Sequence, residues 1–162
     1  MPLYFAYGSN MDESAMRTRC PKSRALGVGR LARHRFGLMA DGYATVVRDA
    51  NAQVYGLVYD LALSDIPALD RYEDVARGLY AKANQPVLRA EGSPARALVY
   101  IGRAPAVENP KLKPGYMEGV VRAAMAAQLP AAYVDFLQGL ISGRQKPAAR
   151  PRAIKWTPKE KS

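Results

Sequence analysis

Apolar residues in the first hundred positions come in short runs bounded by Gly, Pro and Asp. This pattern predicts strands at Leu3 to Tyr7, Leu26 to Leu31, Arg35 to Met39, Ala44 to Val47, Gln53 to Tyr59, Leu79 to Leu88 and Arg96 to Ile101. The fifth run, QVYGLVYDL, carries the strongest signal. Tyr55, Leu57 and Tyr59 alternate with Val54, Gly56 and Val58, so both faces are mostly covered and the strand is expected in the middle of its sheet. Helical spacing appears in three places. Asp12 to Arg19 reads as a short helix, and Asp65 to Glu73 as another with Ser64 as N-cap and Pro67 in its first turn. The stretch PGYMEGVVRAAMAAQLPAAYVDFLQGLIS reads as two helices broken near Leu129-Pro130. In the second of these, Tyr133, Phe136, Leu137 and Leu140 fall at i, i+3, i+4 and i+7 and form one core-facing stripe. Many short strands, few helices and no regular alternation of the two predict an α+β fold, a small curved or closed sheet with helices packed outside it.

Composition narrows the class. The 162 residues suffice for one domain with a real hydrophobic core. No apolar run approaches the length of a membrane span, and Met1-Pro2 opens no basic-then-apolar leader, so a soluble, cytoplasmic protein is expected. A single cysteine, Cys20, excludes an intrachain disulfide, and a single histidine, His34, leaves no cluster with metal-ligand spacing; no metal is expected. The net charge of +10 points to nucleic acid only until its distribution is read. Residues 143–162, GRQKPAARPRAIKWTPKEKS, hold seven of the 24 basic residues and one of the 14 acids, so more than half of the excess sits in this stretch. The chain therefore divides into a domain over residues 1–142 and a basic, Pro-rich extension, with nucleic acid not the expected partner of the body.

Two short stretches carry candidate chemistry. In FAYGSNM, an apolar strand runs into Gly8-Ser9-Asn10 just ahead of a helix. Glycine permits close backbone approach, and a loop before a helix start presents N–H groups that can hold a carboxylate or a developing oxyanion. The GxxxxGK[ST] spacing of a nucleotide phosphate loop is absent. In ALDRYEDV, Ile66, Leu69 and Glu73 lie at i, i+3 and i+7, which places a carboxylate on an apolar stripe. Loss of water there disfavours the charged form and raises the pKa above about 4.3, making a base that works near neutral pH. Each stretch also has a plain alternative: a strand-to-helix turn with Ser9 or Asn10 as a cap, and a helix that ends at Tyr72 with Glu73 solvated or paired to Arg71 or Arg77. Ser9 as a hydrolase nucleophile lacks the second glycine of GxSxG. Cys20, in RCPK, has basic neighbours but is read as structural.

Together, YFAYGSNM, LDRYEDVARGLY, ALVYI and a tyrosine opening the penultimate helix resemble the gamma-glutamylcyclotransferase family and its AIG2-like relatives, over residues 3 to 141 and in the family's order. The resemblance implies a small mixed β-barrel with flanking helices, no metal or organic cofactor, and cyclisation of a γ-glutamyl group to 5-oxoproline with release of the attached amine. Carried over residue by residue, Glu73 matches the catalytic glutamate, and Tyr7, Gly8, Ser9 and Asn10 match the loop that holds the γ-glutamyl part of a small substrate. Tyr100 and Tyr116 match pocket tyrosines. The family usually has glycine after the glutamate. Here Asp74 follows: either its charge raises the pKa of Glu73 further, or it marks a different amine substrate. Relatives specialised for glutathione more often read YGSL than YGSN, which disfavours glutathione. Two other classes stay open: a catalytically silent small-molecule module on the same fold, and a nucleic-acid-associated protein that binds through residues 143–162.

Overall fold

The computed structural model describes residues 2–90 and 94–146. Nine elements build it. β1 (Leu3–Ala6), α1 (Glu13–Arg19), β2 (Arg24–Leu38), β3 (Ala44–Asp60), α2 (Ile66–Tyr72), β4 (Tyr80–Arg89) and β5 (Ala95–Gly102) are followed by α3 (Tyr116–Ala126) and α4 (Ala131–Ser142). The strands close into a barrel in the order β1-β3-β2-β4-β5. All neighbours run antiparallel except β1 and β5, which pair in parallel at Leu3↔Ala97 and Tyr4↔Leu98. The predicted mixed barrel with outer helices is what forms.

β3 pairs with β1 and β2, as any strand of a closed barrel has two neighbours, and Val54 and Gly56 to Tyr59 are buried, so both of its faces are covered as the apolar pattern predicts. Closing a barrel of five strands leaves little interior, and two glycines make the room. Gly29 and Gly56 are partners across β2 and β3, and a Cβ on either would meet the ring of Phe5, which is fully buried.

Two expected breaks are continuous strands. Leu26–Leu31 and Arg35–Met39, except Met39 itself, belong to β2, and Ala44–Val47 and Gln53–Tyr59 belong to β3. The register nevertheless jumps where the sequence turns polar, from Ala32↔Gln53 to His34↔Arg48. Arg33 stands at that bulge with φ 59°, and the Asn51 N–H bonds Asp49 Oδ1 at 2.9 Å.

α2 also starts differently from the sequence reading. A 3-10 turn over Leu63–Asp65 precedes it, no side chain caps it, and Ser64 is exposed. Asp65 is buried instead and accepts hydrogen bonds from the Lys22 N–H at 2.9 Å and the Ser23 hydroxyl at 2.8 Å. A contact 42 residues away has claimed the group that would otherwise cap the helix.

α3 and α4 break where Leu129-Pro130 predicts. Gln128 takes φ 60°, its N–H bonds Met125 O, and the Leu129 N–H bonds Ala124 O, a left-handed stop that satisfies the last carbonyls of α3. On α4, Tyr133, Leu137 and Leu140 are buried and Phe136 is partly buried, with Tyr133 packed edge-on against Tyr55 of β3. Burying each such side chain contributes about 1.5–3 kcal/mol. α4 stops at Gly143, which has φ 76°. Of the expected extension, residues 147–162, with Trp156 among them, lie outside the described residues. Among the described residues, no helix is long and apolar enough to cross a membrane.

Candidate active site

A cavity of about 410 Å³ opens at one end of the barrel. It is walled by the turn after β1, the loop from α2 into β4, the β2–β3 turn and the start of α3. Tyr7, Gly8, Ser9, Asn10, Glu73, Tyr100 and Tyr116, which are spread along residues 7–116, all line it. The volume suits a small molecule.

β1 delivers the first wall. Past Tyr7 the chain enters a 3-10 turn over Ser9–Met11, closed by Met11 N–H to Gly8 O at 3.1 Å and Asp12 N–H to Ser9 O at 3.2 Å. Groups at the start of such a turn have no partner within it. The capping role falls to Asp12, whose Oδ1 accepts from the N–H groups of Ser14 and Ala15. Ser9 and Asn10 are thereby left for other partners. The Ser9 hydroxyl meets the Tyr72 hydroxyl at 2.7 Å, and Asn10 Nδ2 donates to Glu73 Oε1 at 3.0 Å.

α2 delivers Glu73 from just beyond its end. The helix stops at Tyr72, one residue short of the predicted span, but the Glu73 N–H still bonds Leu69 O and the side chain stays on the inward side. The stop is a left-handed one at Asp74, with φ 51°; the Asp74 N–H bonds Arg71 O and the Val75 N–H bonds Asp70 O. That conformation is the one glycine adopts freely, and Asp is among the few other residues that tolerate it. Asp74 turns toward Arg77, with Oδ1 3.8 Å from Nε.

Glu73 is half-buried and pairs with neither Arg71 nor Arg77. Burial pushes its carboxyl up from about 4.5 to about 7, against the opposing pull of Arg19 and the hydrogen bond from Asn10. The shift is therefore the one expected from the apolar stripe. Asp74 is not among the causes of the shift, and its carboxylate leans to Arg77. Glu73 Oε1 is engaged by Asn10, whereas Oε2 has no hydrogen-bond partner among the described residues and is not sealed from solvent.

The AIG2-like family model matches residues 53–137, more than half of the chain. The chain belongs to that family. It is 28% identical over 148 residues to gamma-glutamylcyclotransferase of Mus musculus, spanning 85% of this chain and 78% of that protein, and 27% identical over the same length to the Homo sapiens protein of the same name. A solved structure named gamma-glutamyl cyclotransferase shares its fold, with a TM-score of 0.75 at 24% identity over 96% of this chain and 92% of that one.

In this AIG2-like protein seven of the ten tyrosines line the cavity, and the hydroxyls of five of them divide into two kinds. Tyr7 donates to Tyr100 O, Tyr80 to Ala44 O, and Tyr100 to Asp70 Oδ1 at 2.6 Å, so these three present rings rather than protons. Tyr116 accepts from the Ala44 N–H at 3.2 Å and Tyr4 accepts from Asn10 Nδ2 at 3.1 Å, and each keeps its own proton. Burial raises the pKa of both, so they stay neutral donors.

Tyr4 and Arg19 escaped the sequence reading. Tyr4 lies in a predicted apolar strand and Arg19 is one of the basic neighbours of Cys20, and neither breaks a local pattern. That cysteine is buried, and burial pushes its thiol up to about 11, so the basic residues beside it in sequence do not activate it. His34 is buried with Nδ1 2.9 Å from Ala32 O, in β2 and away from the cavity. Among the described residues no group of three His, Cys, Asp or Glu side chains converges as a metal site.

Proposed function

We propose that this AIG2-like protein is a cyclotransferase that closes a γ-glutamyl group into 5-oxoproline and releases the attached amine, with Glu73 as general acid and base. The observation that carries the reading is a carboxyl of pKa near 7, with one oxygen open to a small-molecule cavity, opposite a turn whose first N–H groups have no partner within the turn. Its relationship to proteins named gamma-glutamylcyclotransferase supports the same reaction.

The chemistry asks little more of the protein. Nucleophile and electrophile belong to one molecule, so the cavity has only to bend the substrate until its α-nitrogen reaches the γ-carbonyl carbon. A C–N bond forms there and the bond from that carbon to the departing nitrogen breaks. Two protons leave the α-ammonium nitrogen and two arrive on the amine. Glu73, near half-ionised at neutral pH, accepts from the first nitrogen and returns to the second. The carbonyl oxygen carries negative charge in between, and N–H groups of Gly8 to Asn10 stabilise it by about 3 kcal/mol per donor. Tyr116 and Tyr4 offer the neutral O–H groups that orient the γ-glutamyl part. The tyrosine wall is uncharged, and Asp74, which also lines the cavity, turns to Arg77, so Glu73 is the proton carrier of this reading.

The test is a panel of γ-glutamyl amino acids and γ-glutamylamines, with 5-oxoproline followed by mass spectrometry for wild type and Glu73→Gln. Product from wild type, reduced about 10²–10⁴-fold in the variant, is the expected result. A variant as active as wild type removes Glu73 from the mechanism, and no product from any panel member removes the cyclotransferase reading.

A further inference from the structure

We propose that Arg19, acting through Asn10, is the positioning residue for Glu73: it fixes which way the Asn10 amide faces, and so leaves Oε2 as the oxygen that carries the proton. The proposal rests on Glu73 being the acid and base of the reaction.

The geometry starts from a property of arginine. A guanidinium only donates hydrogen bonds, and an Asn amide has one accepting and one donating end. Arg19 Nη1 donates to Asn10 Oδ1. The other end must then point away, and its two hydrogens go to Tyr4 Oη at 3.1 Å and Glu73 Oε1 at 3.0 Å. Rotated by half a turn, the amide would set its oxygen against the carboxylate and its NH₂ against a donor, and both contacts would be repulsive. Asn10 is 2% exposed, and all its side-chain polar atoms are bonded to protein. It orients Glu73 and does not reach the substrate with its side chain.

Arg19 is itself held in place. Its guanidinium carbon lies 3.4 Å from the ring centroid of Tyr72, the residue before Glu73, and the Tyr72 hydroxyl bonds Ser9, the residue before Asn10. Ser9 to Tyr72 and Asn10 to Glu73 are thus adjacent rungs, each joining residues 63 apart in sequence. Arg19, from the last turn of α1, closes the two rungs into one unit.

The same arrangement gives Arg19 an electrostatic role. Facing Glu73 from β1 and the residue after it, β4, β5 and α3 are Tyr4, Tyr7, Tyr80, Tyr100 and Tyr116, all kept neutral by burial. Asp74 turns to Arg77, Asp70 is held by Tyr100 and Lys82, and Arg71 is exposed at the cavity mouth. Arg19 makes no ion pair among the described residues, so its charge acts on Glu73 undiminished by a direct partner and favours the ionised form that begins the reaction.

The experiment compares wild type, Arg19→Met and Arg19→Lys in two readouts. One is the pH dependence of kcat and KM for 5-oxoproline formation. The other is an NMR titration of the Glu73 carboxyl in ¹³C-Glu-labelled protein, assigned with Glu73→Gln, which needs no activity. Arg19→Met is expected to move the acidic limb and the Glu73 midpoint up by about one pH unit and to lower kcat at pH 7 at least about tenfold, with KM changed less than about threefold. Arg19→Lys should return the midpoint. Should Arg19→Met fold poorly, Arg19→Gln keeps a donor without the charge, and its Glu73 midpoint should rise in the same way. A Glu73 midpoint unmoved by loss of the charge, or not returned by lysine, overturns the proposal. Wild type without any 5-oxoproline product would instead sink the catalytic reading, and the titration would still decide whether Arg19 governs Glu73.

Discussion

Leu137 on α4 and Asn10 beside the cavity are both buried, at 0% and 2% exposed, but their surroundings are opposite. Leu137 belongs to the apolar core with Val120, Ala124, Tyr133 and Leu140, where contact area is what matters and volume-conserving apolar exchanges come at modest cost. Asn10 sits among Tyr4, Tyr59, Arg19 and Glu73, each held by one directed bond, and its own carbonyl accepts from the Tyr59 hydroxyl at 3.1 Å. The first region stabilises the barrel from outside. The second spends part of that stability to keep a carboxyl away from water, and the comparison predicts that the two respond to mutation in different observables.

The largest effect on folding is expected in the helical layer. Leu137→Ala removes a fully buried side chain and should cost about 2–5 kcal/mol in chemical denaturation. No residue of α4 lines the cavity, so kcat per folded molecule should stay within about twofold. A large fall in kcat with the fold intact would show that the two regions are not separable.

At the cavity the sign reverses. Burial raises Glu73 from about 4.5 to about 7, so the folded protein holds a proton across a range where the unfolded chain has released it. The stability linked to that proton is fully present below about pH 4.5 and is lost as pH rises through about 7. Glutamine has no such dependence. Glu73→Gln should therefore be the more stable protein above pH 7, by roughly 2 kcal/mol once partial exposure to solvent is allowed for, and the gain should vanish near pH 4. Thermal melts of both proteins at the two pH values decide it. Equal melting temperatures at pH 8 would mean that Glu73 is better solvated than its place in the wall indicates.

The same contrast governs what the sequence discloses. Apolar layers repeat, so the stripe on α4, the two-faced β3 and the break at Leu129-Pro130 could be read from spacing alone. Directed bonds do not repeat. Ser64 looked like the cap of α2, but Asp65, its neighbour, is drawn to Lys22 and Ser23, and no local rule contains those partners. The loop at Gly8 to Asn10 and the glutamate at 73 stood out because each breaks a local pattern: small polar residues end an apolar strand, and a carboxylate occupies an apolar stripe. Tyr4 and Arg19 break none, since a tyrosine in a strand and an arginine in the last turn of a helix are ordinary. Their partners become visible only when β1, α1 and α2 are brought together.

The smallest effect sharpens the comparison most, because it separates the backbone under Glu73 from its chemistry. Asp74 holds φ 51°, and its N–H and that of Val75 complete the end of α2. Glycine would adopt that conformation without the steric cost, about 1 kcal/mol, that a side chain brings. Asp74→Gly also removes the 3.8 Å contact with Arg77, an exposed pair of little energetic weight. The expected result is a stabilisation of roughly 0.5–1 kcal/mol with the pH dependence of turnover unchanged, since Asp74 is not among the groups that shift Glu73. An acidic limb displaced to lower pH in Asp74→Gly would show instead that the second carboxylate does act on the first, and the neutral wall around Glu73 would have to include it.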